Sequence, residues 1–65
     1  MKKAAKSLVP GDRFIFGPEF GGEGEALTVT SAANHFGSIE IEVEEADFDI
    51  MVTAEAMLLM VVDDE

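Results

Sequence analysis

The sequence predicts an all-β fold, a small barrel of five short strands with one helical turn before the last. Ile39, Ile41 and Val43 alternate with Glu40, Glu42 and Glu44, the period-two pattern of a strand buried on one face. A second alternating run, Asp47 to Thr53, begins after only Glu45 and Ala46, so the two read as a hairpin. Stretches containing Gly, Pro and Asn separate the remaining apolar runs, as turns between strands require.

Taken in order, Asp12 to Phe16 and Glu25 to Ser31 are the first two strands, rich in Phe, Ile, Val and Thr. Gly17 to Gly24 joins them, and its four Gly and one Pro predict a loop. Asn34 to Gly37 is the next turn, because Asn and Gly tolerate positive φ. Ser38 to Glu44 is the third strand. The fourth, Asp47 to Thr53, is expected to turn Phe48, Ile50 and Val52 inward and Asp47, Asp49 and Met51 outward. Thr53 then caps a single helical turn, and Leu58 to Val62 forms the last strand. Its inward set is either Met57, Leu59 and Val61 or Leu58, Met60 and Val62. Residues 1–8 read as a basic arm and residues 9–65 as one barrel domain.

A chain of 65 residues has room for one modest core. It contains no Cys, so neither disulfides nor thiolate metal sites reinforce that core, and nothing marks an oxidising compartment. Lys2, Lys3 and Lys6 resemble the start of a signal peptide, but Leu8 and Val9 run into Pro10 without an apolar segment of the required length. The longest apolar run, Ala56 to Val62, is far short of the roughly 20 residues that cross a bilayer. A cytoplasmic protein with no membrane contact is the expectation.

Four basic residues face fourteen acidic ones, for a formal charge of −10. The cations are Lys2, Lys3, Lys6 and Arg13, whereas every carboxylate except Asp12 lies beyond Phe14. Such a body repels phosphate backbones, whose binding depends on Lys and Arg releasing counterions, so direct nucleic-acid binding is not expected.

Val9, Pro10, Gly11, Asp12 and Arg13 leading into a strand, a Gly-rich loop, three more strands and the Thr53 to Met57 turn resemble small SH3-like or KOW-like domains, including those of short bacterial and phage proteins. The resemblance spans nearly the whole chain and implies a barrel. Because it rests on strand order and one Pro-Gly-Asp turn, it assigns no functional residue.

Enzyme chemistry lacks its components. Ser7, Ser31 and Ser38 are the only serines, His35 is the only histidine, and no motif sets a nucleophile beside a base. Gly21, Gly22 and Gly24 are flanked by Glu19, Glu23 and Glu25, which repel a phosphate. Asp63, Asp64 and Glu65 lack the turn and distant Glu of a calcium loop. Glu55 to Met60 resembles the motif of biotin carrier domains, but Leu58 stands at the acceptor-lysine position. No cofactor and no metal are therefore expected.

The conspicuous feature is a row of acids, with Glu40, Glu42 and Glu44 on one strand and Asp47 and Asp49 across the hairpin. Like charges opposite one another weaken a sheet, so stability does not select this face. A solubilising surface or adaptation to high salt accounts for it in one way. A site for a basic protein surface accounts for it in another, with Phe20 and Phe36, both in loops, as apolar anchors. The resulting expectation is a non-enzymatic acidic interaction module, of the kind a phage inhibitor or DNA mimic uses. The alternative is a structural component of a virion or multi-subunit complex, self-associating or joining neighbours through an edge strand and the N-terminal arm.

Overall fold

The computed structural model describes residues 1–61. Among these, the chain forms six strands: β1 (Lys2–Ala4), β2 (Arg13–Phe16), β3 (Glu25–His35), β4 (Ser38–Val43), β5 (Ile50–Thr53) and β6 (Met57–Leu59). Two single-turn 3-10 segments, Ala5–Ser7 and Pro18–Phe20, complete the regular structure. The all-β expectation holds, with six strands in place of five.

β2, β3, β4 and β5 make an antiparallel meander, and β1 pairs with β6 as a separate ribbon. The ribbon joins the meander where Phe14 bridges Met60 and the Val61 N–H donates to the Arg13 carbonyl at 2.9 Å. On the other side, the N–H groups of Ala5 and Lys6 donate to the carbonyls of Ala56 and Ala54 at 2.8 and 3.0 Å. Ala54 donates in turn to Gly37 at 2.9 Å, tying this corner to the β3–β4 hairpin. These bonds curl the two sheets around one core and satisfy backbone groups that would otherwise be buried without partners.

That core follows the alternation. Phe14, Val29, Ile41 and Leu58 are fully buried, and Phe16, Leu27, Ile39, Val43, Ile50 and Val52 fill the space around them. In the last strand, expected over Leu58 to Val62 and found at Met57–Leu59, the choice falls on Leu58, with Met60 packed beside it, while Met57 and Leu59 stay half-exposed and Val62 lies outside the described residues.

Four expectations are corrected. The segment before β6 is not helical. Ala56 donates to the Thr53 carbonyl at 3.1 Å, closing one tight turn, and the carbonyls of Ala54 and Ala56 are taken by the N-terminal segment instead of a helix. Residues 2–8 are not an arm: Lys2, Lys3 and Ala4 pair with Leu59, Leu58 and Met57, and Ala5 and Leu8 are core residues. β3 runs four residues past Ser31, because β4 offers partners as far as His35. Phe48 does not point into the core. The β4–β5 ladder stops at the Ile41–Ile50 pair and β5 begins there, so Phe48 lies in the loop, with its ring 6.3 Å from that of Phe16.

Two local devices shape the surface. Between Val29 and Ser31, β3 carries one more residue than β4, a bulge that bends the strand and moves Ala32 to the core face. In the first loop, a Cβ on Gly22 would meet the Phe16 carbonyl oxygen at 2.1 Å, so only glycine lets the loop lie this close to β2.

Candidate interaction surface

Ile41 is fully buried, so strand alternation turns its neighbours Glu40 and Glu42 outward together. The register opposes Glu40 with Ala33 on β3 and Met51 on β5, and Glu42 with Ser31. Neutral residues therefore stand where directly opposed acids were expected. The like-charge contact is diagonal: the Asp49 carboxyl hydrogen-bonds that of Glu40 and raises its pKa, because two adjacent carboxylates resist both being ionised. His35, at the end of β3, acts against this, its Nε2 lying 3.0 Å from Oε1 of Glu40. Glu44 and Asp47 are exposed in the loop between β4 and β5.

The lysines lie elsewhere. Lys3 Nζ lies 2.6 Å from Asp12 Oδ2, which also accepts the Val9 N–H at 3.1 Å. These contacts, led by the lysine, hold the Asp12 pKa below its ordinary value. Glu45 accepts from the Thr28 N–H and hydroxyl, both at 2.7 Å, and its pKa is lowered by those bonds, with Arg13 adding to the effect. Lys2 and Lys6 are exposed on and beside β1. On β4 itself, the contact with a potential cation that is seen is that of Glu40 with His35.

The two loop aromatics separate. Phe20 ends the 3-10 turn and, partly buried, packs against the core. Phe36 is fully exposed. It occupies the two-residue turn of the β3–β4 hairpin, flanked by the His35–Ser38 pair, with φ of 55° at Phe36 and 90° at Gly37. This is the pattern of a type I′ turn, in which Asn or Gly is favoured at the position Phe36 holds. The Asn34 Oδ1 accepts the Gly37 N–H at 3.0 Å and supports the reversal. The exposed apolar side chains nearest the acid row in the sequence are Phe48 and Met51, which the alternation argument had placed in the core and on the surface respectively. Met51 is the direct cross-strand neighbour of Glu40.

No cluster of three or more His, Asp or Glu among the described residues is placed to hold a metal ion. No helix among them is long and apolar enough to cross a membrane. Comparison with protein-family models, curated proteins and solved structures gives no match.

Proposed function

We propose that the chain is a non-enzymatic acidic module that binds a basic protein surface through Glu40, Glu42 and Asp49, with Met51 as the apolar contact among them. The observation that carries this reading is the Glu40–Asp49 contact. The carboxyl groups of Glu40 on β4 and of Asp49, just before β5, are held together while Lys3 is bound to Asp12 elsewhere. An arrangement that resists its own ionisation is relieved by an external cation, so a Lys or Arg placed between the two carboxyls gains more than it would at an isolated acid. Glu44 and Asp47 extend the negative surface along the adjoining loop. A nucleic-acid mimic is the finer form of the same reading, in which the occupied surface belongs to a DNA- or RNA-binding protein.

The test is affinity capture with the wild type and the triple variant Glu40→Gln, Glu42→Gln, Asp49→Asn, at low and at moderate salt. These neutral substitutions keep side-chain size, so the fold is retained. A partner retained by the wild type, released by salt and lost by the variant supports the proposal. Equal retention by both proteins refutes it.

A second reading, membership of a larger assembly, is favoured by the strand order, which leaves β1 and β5 at sheet edges. Contact through a free N-terminal arm loses its basis, because residues 2–4 are paired with β6.

A further inference from the structure

A groove of about 290 Å³ opens where β1, β2 and the end of β6 meet. Met1, Met60 and Val61 form its apolar wall, and Lys3, Asp12 and Arg13 its charged rim. Its volume falls just below the range of roughly 300–1,000 Å³ that holds small-molecule ligands, which suits a single aromatic side chain. Its chemistry suits one as well. Methionine sulfur packs favourably against aromatic rings, and Lys or Arg within about 6 Å of a ring centroid is attracted to its face.

The chain itself presents one side chain of this kind. It has five Phe and neither Tyr nor Trp. Phe14 and Phe16 are buried, Phe20 packs on the core, and Phe48 lies against Phe16. Phe36 alone stands fully clear, at the tip of the longest hairpin, in a backbone conformation that a non-glycine residue adopts at a cost. Neither its exposure nor its backbone is explained by the stability of the monomer.

We propose that Phe36 of one copy inserts into the Met1–Met60–Val61 groove of a second copy. The charges agree with this pairing. Beside the inserted ring, Glu40 of the first copy approaches the rim of the second, where Lys3 is paired with Asp12 and Arg13 adds a further positive charge. Knob and socket are different surfaces, so the contact is heterologous and propagates into short chains or closes into a ring. A single aromatic knob buries less than the roughly 1,000 Å² typical of stable interfaces, so the association is weak and requires protein in the millimolar range. Mutual repulsion of two bodies of charge −10 makes it stronger at moderate than at low salt.

The test uses the full chain in two variants. Phe36→Asn removes the knob and installs a residue the turn prefers. Val61→Glu places a carboxylate in the socket and leaves the knob intact. For the wild type, raising the concentration is expected to move amide NMR resonances at two places together, His35 to Ser38 and the groove residues, with the sedimenting mass rising above that of a monomer. Each variant alone is expected to lose at least about tenfold in association, the usual mark of an anchor residue. When the variants are mixed, the intact socket of Phe36→Asn receives the intact knob of Val61→Glu, and association stops at 1:1 pairs. Circular dichroism and an unperturbed core spectrum establish that each variant is folded. A wild type that stays monomeric throughout overturns the proposal. So does a Phe36→Asn variant that associates like the wild type, or a mixture of folded variants that yields no heterodimer.

Discussion

Phe14 and Phe36 should answer substitution in opposite directions, although both sit on or beside the same sheet. Phe14 is completely buried on β2, next to Leu27 in register, and its backbone bridges Met60 of the ribbon. Truncation to Ala removes a ring from the point where the two sheets meet, and such changes cost about 3–5 kcal/mol in a close-packed core. A domain of this length has a total stability of roughly 3–10 kcal/mol, from about 0.05–0.15 kcal/mol per residue. Phe14→Ala should therefore lose about a third of the domain's stability or more, and all of it if the wild type lies at the lower end of that range. Phe36→Asn loses no buried contact, because the ring is fully exposed, and relieves a positive φ that Asn tolerates. It should be neutral or more stable by on the order of 0.5–1 kcal/mol. Urea unfolding followed by far-ultraviolet circular dichroism at low protein concentration measures both. The reasoning fails if Phe14→Ala costs less than about 1.5 kcal/mol, the range of well-tolerated apolar swaps, or if Phe36→Asn destabilises by more than about 1 kcal/mol, the scale of the αL penalty it is meant to relieve.

Further outcomes can be checked independently. Gly22→Ala drives a Cβ into the Phe16 carbonyl and should destabilise by about 1–3 kcal/mol, whereas Gly21→Ala, where the Cβ meets open space, should suffer only from its positive φ; thermal melts rank the two. In a carboxyl NMR titration Glu40 should lose its proton at higher pH than an ordinary glutamate, and Asp49→Asn should bring its midpoint down. Asp12 and Glu45 should titrate below their ordinary values, and Lys3→Met should raise Asp12 alone. The linked effects on stability have opposite signs. Asp12 and Glu45 have depressed folded pKa values, so their contribution is present at neutral pH and is lost as pH falls through those values. Glu40 has a raised one, so the folded state binds its proton more tightly and stability falls as pH rises from the ordinary glutamate range to the raised value. Consequently Glu40→Gln should not destabilise at pH 7, and a clear loss of stability in a melt would count against the carboxyl contact.

Much of the architecture was legible in the residues because alternation is a local property. Ile39, Ile41 and Val43 must share a face in any strand, and burial of one commits the others. The outward placement of Glu40 and Glu42 follows from the same rule, so the acid row was visible before any coordinate. Phe48 shows where the rule stops. It continues the alternation of Ile50 and Val52, yet a strand requires a neighbour, and the pairing of β5 with β4 ends at Ile50 and Ile41. For Phe20 the residues left open whether it stands in solvent or folds back, because nothing in a Gly-rich stretch reveals that Gly22 lets the loop close onto β2, with Phe20 packed against the core. The extension of β3 through Ala32, Ala33 and Asn34 was hidden for a related reason, since these are weak strand formers held in place by pairing with β4.

By itself, then, the amino-acid order determined the all-β class, the faces of β4 and β5, and the segregation of the few cations from the many acids, all of which depend on neighbours within a few residues. Only the tertiary structure decided that residues 2–8 pair with β6 and join the core, that Glu40 meets Asp49 diagonally instead of facing another acid, and that Phe36, of all the phenylalanines, is left standing in solvent. Those outcomes turn on which strand edges find partners and how the bulge bends β3, and hydrogen bonds between residues distant along the chain leave no periodic trace in the sequence.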